Sequence, residues 1–398
     1  MPPAFYNRIL LSTFGKGLYK MSEPVVWENL PMSQTDNTTI GDYVAAQIAL
    51  HNDDSEAHLA DGQSLEAHRA SEVIDHLATS VVPDKLVDDQ PGFSAVLGYE
   101  LASANSWQTQ ASAVDSDWMA VCYGNGLYVA VAYVGTGSRI MTSADGITWT
   151  GRTAPNSNTW QDVCFGNGLF VAVAWSGSGS RVMTSTDGIT WTGRTAANTN
   201  TWQSVAYGGG VFVAVADSGA SNVVMTSTDG ITWTGRTAAN LYAWQAVTYG
   251  NGLFVAVEAA GNANGVMTSP TGTTWTARAS STADSWYSVC YGNGLFVAVA
   301  RNPAGPGVMT STNGTTWTDS TAAFSSLFEA VTYGNGLYVA VSESEVQPCV
   351  MTSPDGKLWT ARNGATANMW QAIVYQSPFF VAVARSGVGN RVMTSGTA

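Results

Sequence analysis

Residues 118–132, WMAVCYGNGLYVAVA, followed after a short loop by residues 139–152, RIMTSADGITWTGR, decide how this chain is read. The pattern recurs to the end of the chain. Its lead aromatic falls at Trp118, Trp160, Trp202, Trp244, Trp286, Phe328 and Trp370. A methionine falls at Met141, Met183, Met225, Met267, Met309, Met351 and Met393, and both series step by 42 residues without insertion or deletion. A fixed period of this size marks a solenoid or a propeller.

Each unit holds four short β-prone runs. In the second they are WQDVCF (160–165), LFVAVA (169–174), RVMTS (181–185) and TWTGR (190–194). Gly166-Asn167-Gly168 separates the first two, and Asn-Gly supplies the positive φ angles of a tight hairpin. Thr186-Asp187-Gly188 is a second turn signal between the last two. LFVAVA is apolar at every position, so that strand is covered on both sides. Four antiparallel strands of this kind make one propeller blade of the usual ~40–45 residues.

The ends separate propeller from solenoid. Fourth-strand tryptophans stand at Trp149, Trp191, Trp233, Trp275, Trp317 and Trp359, and the last unit stops at MTSGTA before its own. One period back from Trp149 lies Trp107, in NSWQTQ. A strand around Trp107 is therefore expected to complete the last unit, which closes the ring and removes a free sheet edge. The expected fold is mainly β: a seven-bladed β-propeller over residues 101–398, preceded by a small, partly helical region over residues 1–100.

TSADGITW (142–149), TSTDGITW (184–191 and 226–233) and TSPDGKLW (352–359) resemble the Asp-box, or BNR, repeat, with one residue fewer between Asp and Gly. Units four and five carry Thr271 and Asn313 in place of Asp. The resemblance implies an Asp side chain that satisfies turn N–H groups beside a packed Trp. Asp-boxes occur in sialidases and in many binding proteins.

With 398 residues the chain has room for a large ring and one small extra region. The formal net charge of −13 argues against nucleic acid as a partner. The excess is concentrated before residue 105, with 15 acidic and 5 basic residues, against 14 and 11 after it. The opening residues show no signal peptide, and no apolar stretch approaches a membrane span. Cys122, Cys164 and Cys290 share one first-strand position with Ala206, Thr248, Thr332 and Val374. They read as small buried residues, as does Cys349 at the edge of a third strand, and no disulfide is expected.

Helices are expected over residues 39–51 and 64–79, with Pro83 and Pro91-Gly92 leading to the ring. Neither could bury its apolar face in so small a region, so packing against other subunits is expected. Residues 51–86, HNDDSEAHLADGQSLEAHRASEVIDHLATSVVPDKL, look like segments of bacteriophage tail-fibre and related virion proteins. That resemblance implies an N-terminal part that attaches to a particle or trimerises, a C-terminal domain that meets the host, and a virion location after synthesis in the host cytoplasm. All four histidines (His51, His58, His68, His76) lie here; their spacing matches no known ligand pattern, and no metal or cofactor is expected.

The first-to-second and third-to-fourth turns barely change between units, whereas the second-to-third loops and the links between units change freely. In an up-and-down blade the constant turns share one face and the variable loops the other. The residue opening the second-to-third loop reads Tyr133, Trp175, Asp217, Ala259, Arg301, Glu343 and Arg385. Identical scaffolding carrying different side chains is the pattern of a recognition surface. Tyr133, Trp175, Asp217, Arg301, Glu343 and Arg385, with Tyr242 in a link, are the candidate ligand-binding residues. The reading is a virion structural protein, not an enzyme, whose propeller binds a host-surface glycan or protein. One alternative is a polysaccharide-cleaving enzyme with a carboxylate pair drawn from Asp115, Asp117, Asp284, Glu343 or Glu345. Another is a decoration protein without a ligand.

Overall fold

A computed structural model describes residues 104, 106–134, 138–177, 180–219, 222–301 and 306–396. The helices expected over 39–51 and 64–79, the four histidines and the boundary near residue 100 lie outside them. The described residues form seven four-stranded antiparallel sheets. The first blade is β2 (Trp118–Gly124), β3 (Leu127–Ala132), β4 (Ile140–Ser143) and β5 (Thr150–Arg152), paired in chain order. The next five repeat this order. The last consists of β26 (Trp370–Gln376), β27 (Phe379–Ala384), β28 (Val392–Ser395) and β1 (Trp107–Gln110). β1 runs antiparallel to β28, with Trp107 opposite Ser395 and Thr109 opposite Met393, so the ring closes as the sequence implies.

Alternation along the second strand builds the contacts between blades. In Leu169–Ser176 the valines Val171 and Val173 pack toward the following blade, against Trp202, Phe212, Ala214 and Met225. The intervening Phe170, Ala172 and Ala174 pack with Trp160 and Met183 against Val129 and Val131 of the preceding blade. Every blade thus offers one valine face and one face of Phe or Tyr followed by Ala, with a second Ala in five blades, Glu258 in the fourth and Ser342 in the sixth. The small alanines leave room for the lead aromatic. The same set joins the last blade to the first, where Val381, Val383 and Val392 meet Trp118, Tyr128, Ala130 and Met141. Trp107 fills in the seventh blade the position that Trp191 holds in the second, and its Nε1 donates to the Ala104 carbonyl at 3.0 Å.

Both expected turns form. Asn125 and Gly126 take φ of 48° and 77°, the left-handed pair of a tight hairpin. In the other turn, Asp187 Oδ1 accepts from the backbone N–H groups of Ile189 and Thr190 at 2.8 Å, and Trp191 Nε1 donates to Gly188 O. The Thr190 N–H, then that of Ile189, hold the Asp187 carboxyl down at about 2. The two turn types lie together on one face: Asn125 Nδ2 donates to Thr186 O of the next blade. Gly124 is required because the Phe165 ring of that blade lies over it, 2.1 Å from where a Cβ would stand. The last unit departs from the constant pattern, with Gln376-Ser377-Pro378 in place of Gly-Asn-Gly.

Trp107 is 9% exposed in the closing sheet. Trp107→Ala is expected to remove about 3 kcal/mol of stability, as for other buried aromatic truncations, read from the denaturant midpoint with the same variant's secondary structure intact at low denaturant.

Candidate functional site

Each first strand carries a bulge at the same place. Its pairing with the second strand skips one residue after the lead aromatic, from Trp118 to Ala120 in the first blade and from Trp370 to Ala372 in the last. The skipped residues are Met119, Gln161, Gln203, Gln245, Tyr287, Glu329 and Gln371. A bulge leaves one residue out of the ladder and re-aims its side chain. All seven line a single funnel of about 310 Å³.

A second tier of side chains comes from the ends of the second strands: Tyr133, Trp175, Asp217, Arg301 and Arg385. Backbone clamps fix this tier against the residue preceding each lead aromatic. Tyr133 N donates to Asp117 O at 2.9 Å, Arg301 N to Ser285 O at 2.8 Å, and Arg385 N to Met369 O at 3.0 Å. In three blades an arginine from the end of the loop adds a brace. Arg391 reaches Arg385 O and, across the closure, Ser116 O at 2.8 Å and Asp117 Oδ1 at 3.1 Å. Arg139 and Arg181 brace Tyr133 O and Trp175 O in the same manner.

The two sides of the funnel differ. On one, the Tyr133 and Trp175 rings stand 5.8 Å apart with a 47° tilt. Asp217 anchors this side: Oδ2 accepts from Gln203 Nε2 at 2.6 Å and from Trp175 Nε1 at 3.4 Å, and Oδ1 accepts from the Thr201 hydroxyl. On the other side, Arg301 and Arg385 converge on Glu343, one on each carboxylate oxygen. Glu343 is 7% exposed and lies behind the two guanidinium groups. Arg301 also lies over the Tyr287 ring, 5.1 Å from its centre.

Glu329 sits among these charges. Its Oε1 lies 3.1 Å from Arg301 Nε, yet the atom accepts no hydrogen bond, so the contact is coulombic and poorly aligned. Burial pushes the Glu329 carboxyl up to about 7, and Arg301 and Arg385 offset this only in part. Gln371, 7% exposed, also lines the funnel, with its Nε2 unpartnered among the described residues.

The structure therefore brings five of the candidate residues to one mouth. Glu343 belongs to it indirectly, as the group that positions Arg301 and Arg385. Tyr242 does not line it; its ring packs 6.2 Å from that of Trp244, against the core between blades. The fourth blade contributes Gln245, while Ala259 is absent from the wall. The bulge residues escaped the sequence reading. Their signal was nonetheless present: Met, Gln, Gln, Gln, Tyr, Glu and Gln one residue after each lead aromatic, in an otherwise small and apolar strand. Among the other carboxylates, Asp115 accepts from Gly389 N, Asp117 pairs with Arg391, Asp284 is buried beside Thr282, and Glu345 is exposed. No group of three or more His, Cys, Asp or Glu poised for a metal ion occurs among the described residues.

Glu329 makes stability depend on pH. A folded-state value near 7, above the ordinary 4.5, means that its favourable neutral form is fully present below pH 4.5. That contribution is lost as pH rises through 7. Glu329→Gln should gain on the order of 2 kcal/mol relative to wild type between pH 5 and 8, measured by chemical denaturation at both values.

No protein-family model matches the chain, and no curated protein matches it. Solved structures do. Virginiamycin B lyase from Staphylococcus aureus superposes with a TM-score of 0.62 at 10% identity, over 74% of this chain and 100% of that one. A streptogramin B lyase structure gives 0.62 at 9% identity, over 73% and 97%. YCF48 from Cyanidioschyzon merolae gives 0.55 at 14%, over 73% and 98%. At such identities the likeness is one of fold: the described part of the chain is a seven-bladed β-propeller similar in architecture to these proteins.

Proposed function

We propose that this protein is a virion attachment subunit, of the bacteriophage tail-fibre kind, whose propeller mouth binds a glycan on the host surface. The observation that carries the reading is the two-tier funnel: repeat-equivalent positions on an almost invariant scaffold hold Tyr, Trp, Asp, Arg, Gln, Glu and Met. Core positions of the same repeat stay Trp, Val, Ala and Met with few exceptions, Phe328 and Ile140 among them. Aromatic rings at the edge supply stacking surface, and amides and guanidinium groups supply directional hydrogen bonds. The resemblance of residues 51–86 to tail-fibre segments supports attachment of residues 1–100 to other virion proteins and assembly as a trimer. The resemblance of the constant turns to Asp-boxes adds a scaffold used by glycan-handling and binding proteins alike.

One observation favours a second reading, cleavage of the bound polysaccharide. The Glu329 carboxyl, held up at about 7 in the funnel, has the protonation state of a general acid at neutral pH. Both oxygens of Glu343 are taken by arginines and both of Asp217 by Gln203, Trp175 and Thr201, which leaves neither carboxylate free as its catalytic partner.

The full chain, incubated with a panel of immobilised bacterial surface polysaccharides, is expected to be retained on at least one without releasing shorter chains. Tyr133→Ala/Trp175→Ala/Arg301→Ala together should cut retention at least tenfold. Unchanged retention would point to a decoration protein, and released oligosaccharides abolished by Glu329→Gln to an enzyme.

A further inference from the structure

The hydrogen-bonding groups of the funnel are unequally engaged. On the aromatic side both carboxylates are engaged: Asp217 receives Gln203, Trp175 and Thr201, and Asp117 Oδ1 is paired with Arg391. On the other side the groups left over are donors of Arg385 and Gln371, with one acceptor, Glu329 Oε1, that faces Arg301 Nε without a hydrogen bond. Arg385 engages Glu343 through Nη2, while its Nε and Nη1 make no hydrogen bond among the described residues. Its side chain is 38% exposed; that of Arg301, 31% exposed, already gives Nη2 to Glu343 and Nη1 to the Tyr287 hydroxyl and holds Nε beside Glu329, so it adds charge rather than a free donor. Gln371 adds an unpartnered amide nitrogen in a side chain more than nine-tenths buried. Buried polar groups without partners are uncommon, and a set of donors lining one wall calls for an acceptor from outside.

We infer that the funnel takes a saccharide unit bearing a carboxylate, its anionic group received by Arg385 and Gln371 beside the charge of Arg301, and its ring by Trp175 and Tyr133. This rests on the glycan-binding reading above and narrows it to acidic sugars. A carboxylate matches the planar guanidinium fork better than a hydroxyl does. Glu343, fixed behind both arginines, holds their forks in place before the ligand arrives, which lowers the ordering cost of binding.

Glu329 tunes the site. The charged and titratable groups facing it are Arg301 and Arg385 from the flanking blades, Glu343 of its own blade and Tyr287 beside Arg301. Below pH 7 its neutral carboxyl is a further donor, and the two arginines and Glu343 sum to a net positive sector. As pH rises through 7 it ionises, becomes an acceptor and cancels that charge. Anion affinity should therefore fall with rising pH.

The test uses the full chain and calorimetric titration with oligogalacturonate, oligosialate and a hyaluronan hexasaccharide, each against its carboxyl-reduced counterpart, and with a glutamate hexapeptide. At least one acidic sugar should bind ten or more times tighter at pH 6 than its reduced form and than the peptide. That preference should weaken about tenfold between pH 6 and 8. Arg385→Gln should abolish it with the thermal midpoint kept, Arg385→Lys should restore it in part, and Glu329→Gln should remove the pH dependence. If every acidic sugar and its reduced form bind alike, the inference fails while glycan binding stands. Equal binding of the peptide would overturn the saccharide assignment. If none of the sugars binds, the inference fails, and polysaccharide retention by the same protein decides whether the wider reading falls with it.

Discussion

The contact on which this molecule depends is the one between successive blades. Valines on one side of a second strand press against the lead aromatic, methionine and alanines of the next blade. The contact is directional, because each blade has a valine face and an aromatic-alanine face and the two are complementary only in one order. A chain of such units leaves one face of each kind uncovered at its ends. Closing the ring covers both, with Val381 and Val383 set against Trp118 and Tyr128. β1 contributes the fourth strand of the last sheet, and Arg391 with Asp115 and Asp117 ties the two ends again at the mouth.

Closure makes position in the repeat equivalent to position around a centre. The chemistry of the mouth follows from this. One bulge, placed identically in every blade, turns the residue after the lead aromatic inward, and the end of each second strand supplies the tier above it. Neither set belongs to the apolar core between second strands, so these positions were free to differ while that core stayed constant. The outcome is a funnel with a ring-lined side, where Asp217 is held by three donors, and an arginine side, where Arg385 and Gln371 keep donors open.

Much of this was legible in the sequence, because the period of 42 residues reports directly on a repeated sheet and the displaced tryptophan at 107 reports on closure. The second tier was legible as well, since residues flanking variable loops vary in step with them. The first tier was not. Alternation assigns every other residue of a strand to one face, and a bulge breaks that rule at the position that matters, so Gln161 or Glu329 reads as one more strand residue. Tyr242 stands apart from the mouth for a different reason: an aromatic in a link can turn toward the core, and this one packs on Trp244. The pairing of Arg301 and Arg385 through Glu343 joins residues 42 apart on three blades, which no local pattern announces.

The equivalence of positions around the mouth depends on the ring being closed by residues 107–110. Amide hydrogen exchange on the intact protein tests this directly, since hydrogen-bonded strands of one cooperative unit open together. Peptides covering 107–110 and 392–395 should exchange slowly and with the same opening free energy as the second strands of the other blades. Exchange of 107–110 at the rate of an unstructured chain, with 392–395 still protected, would contradict closure and the equivalence of positions around the mouth.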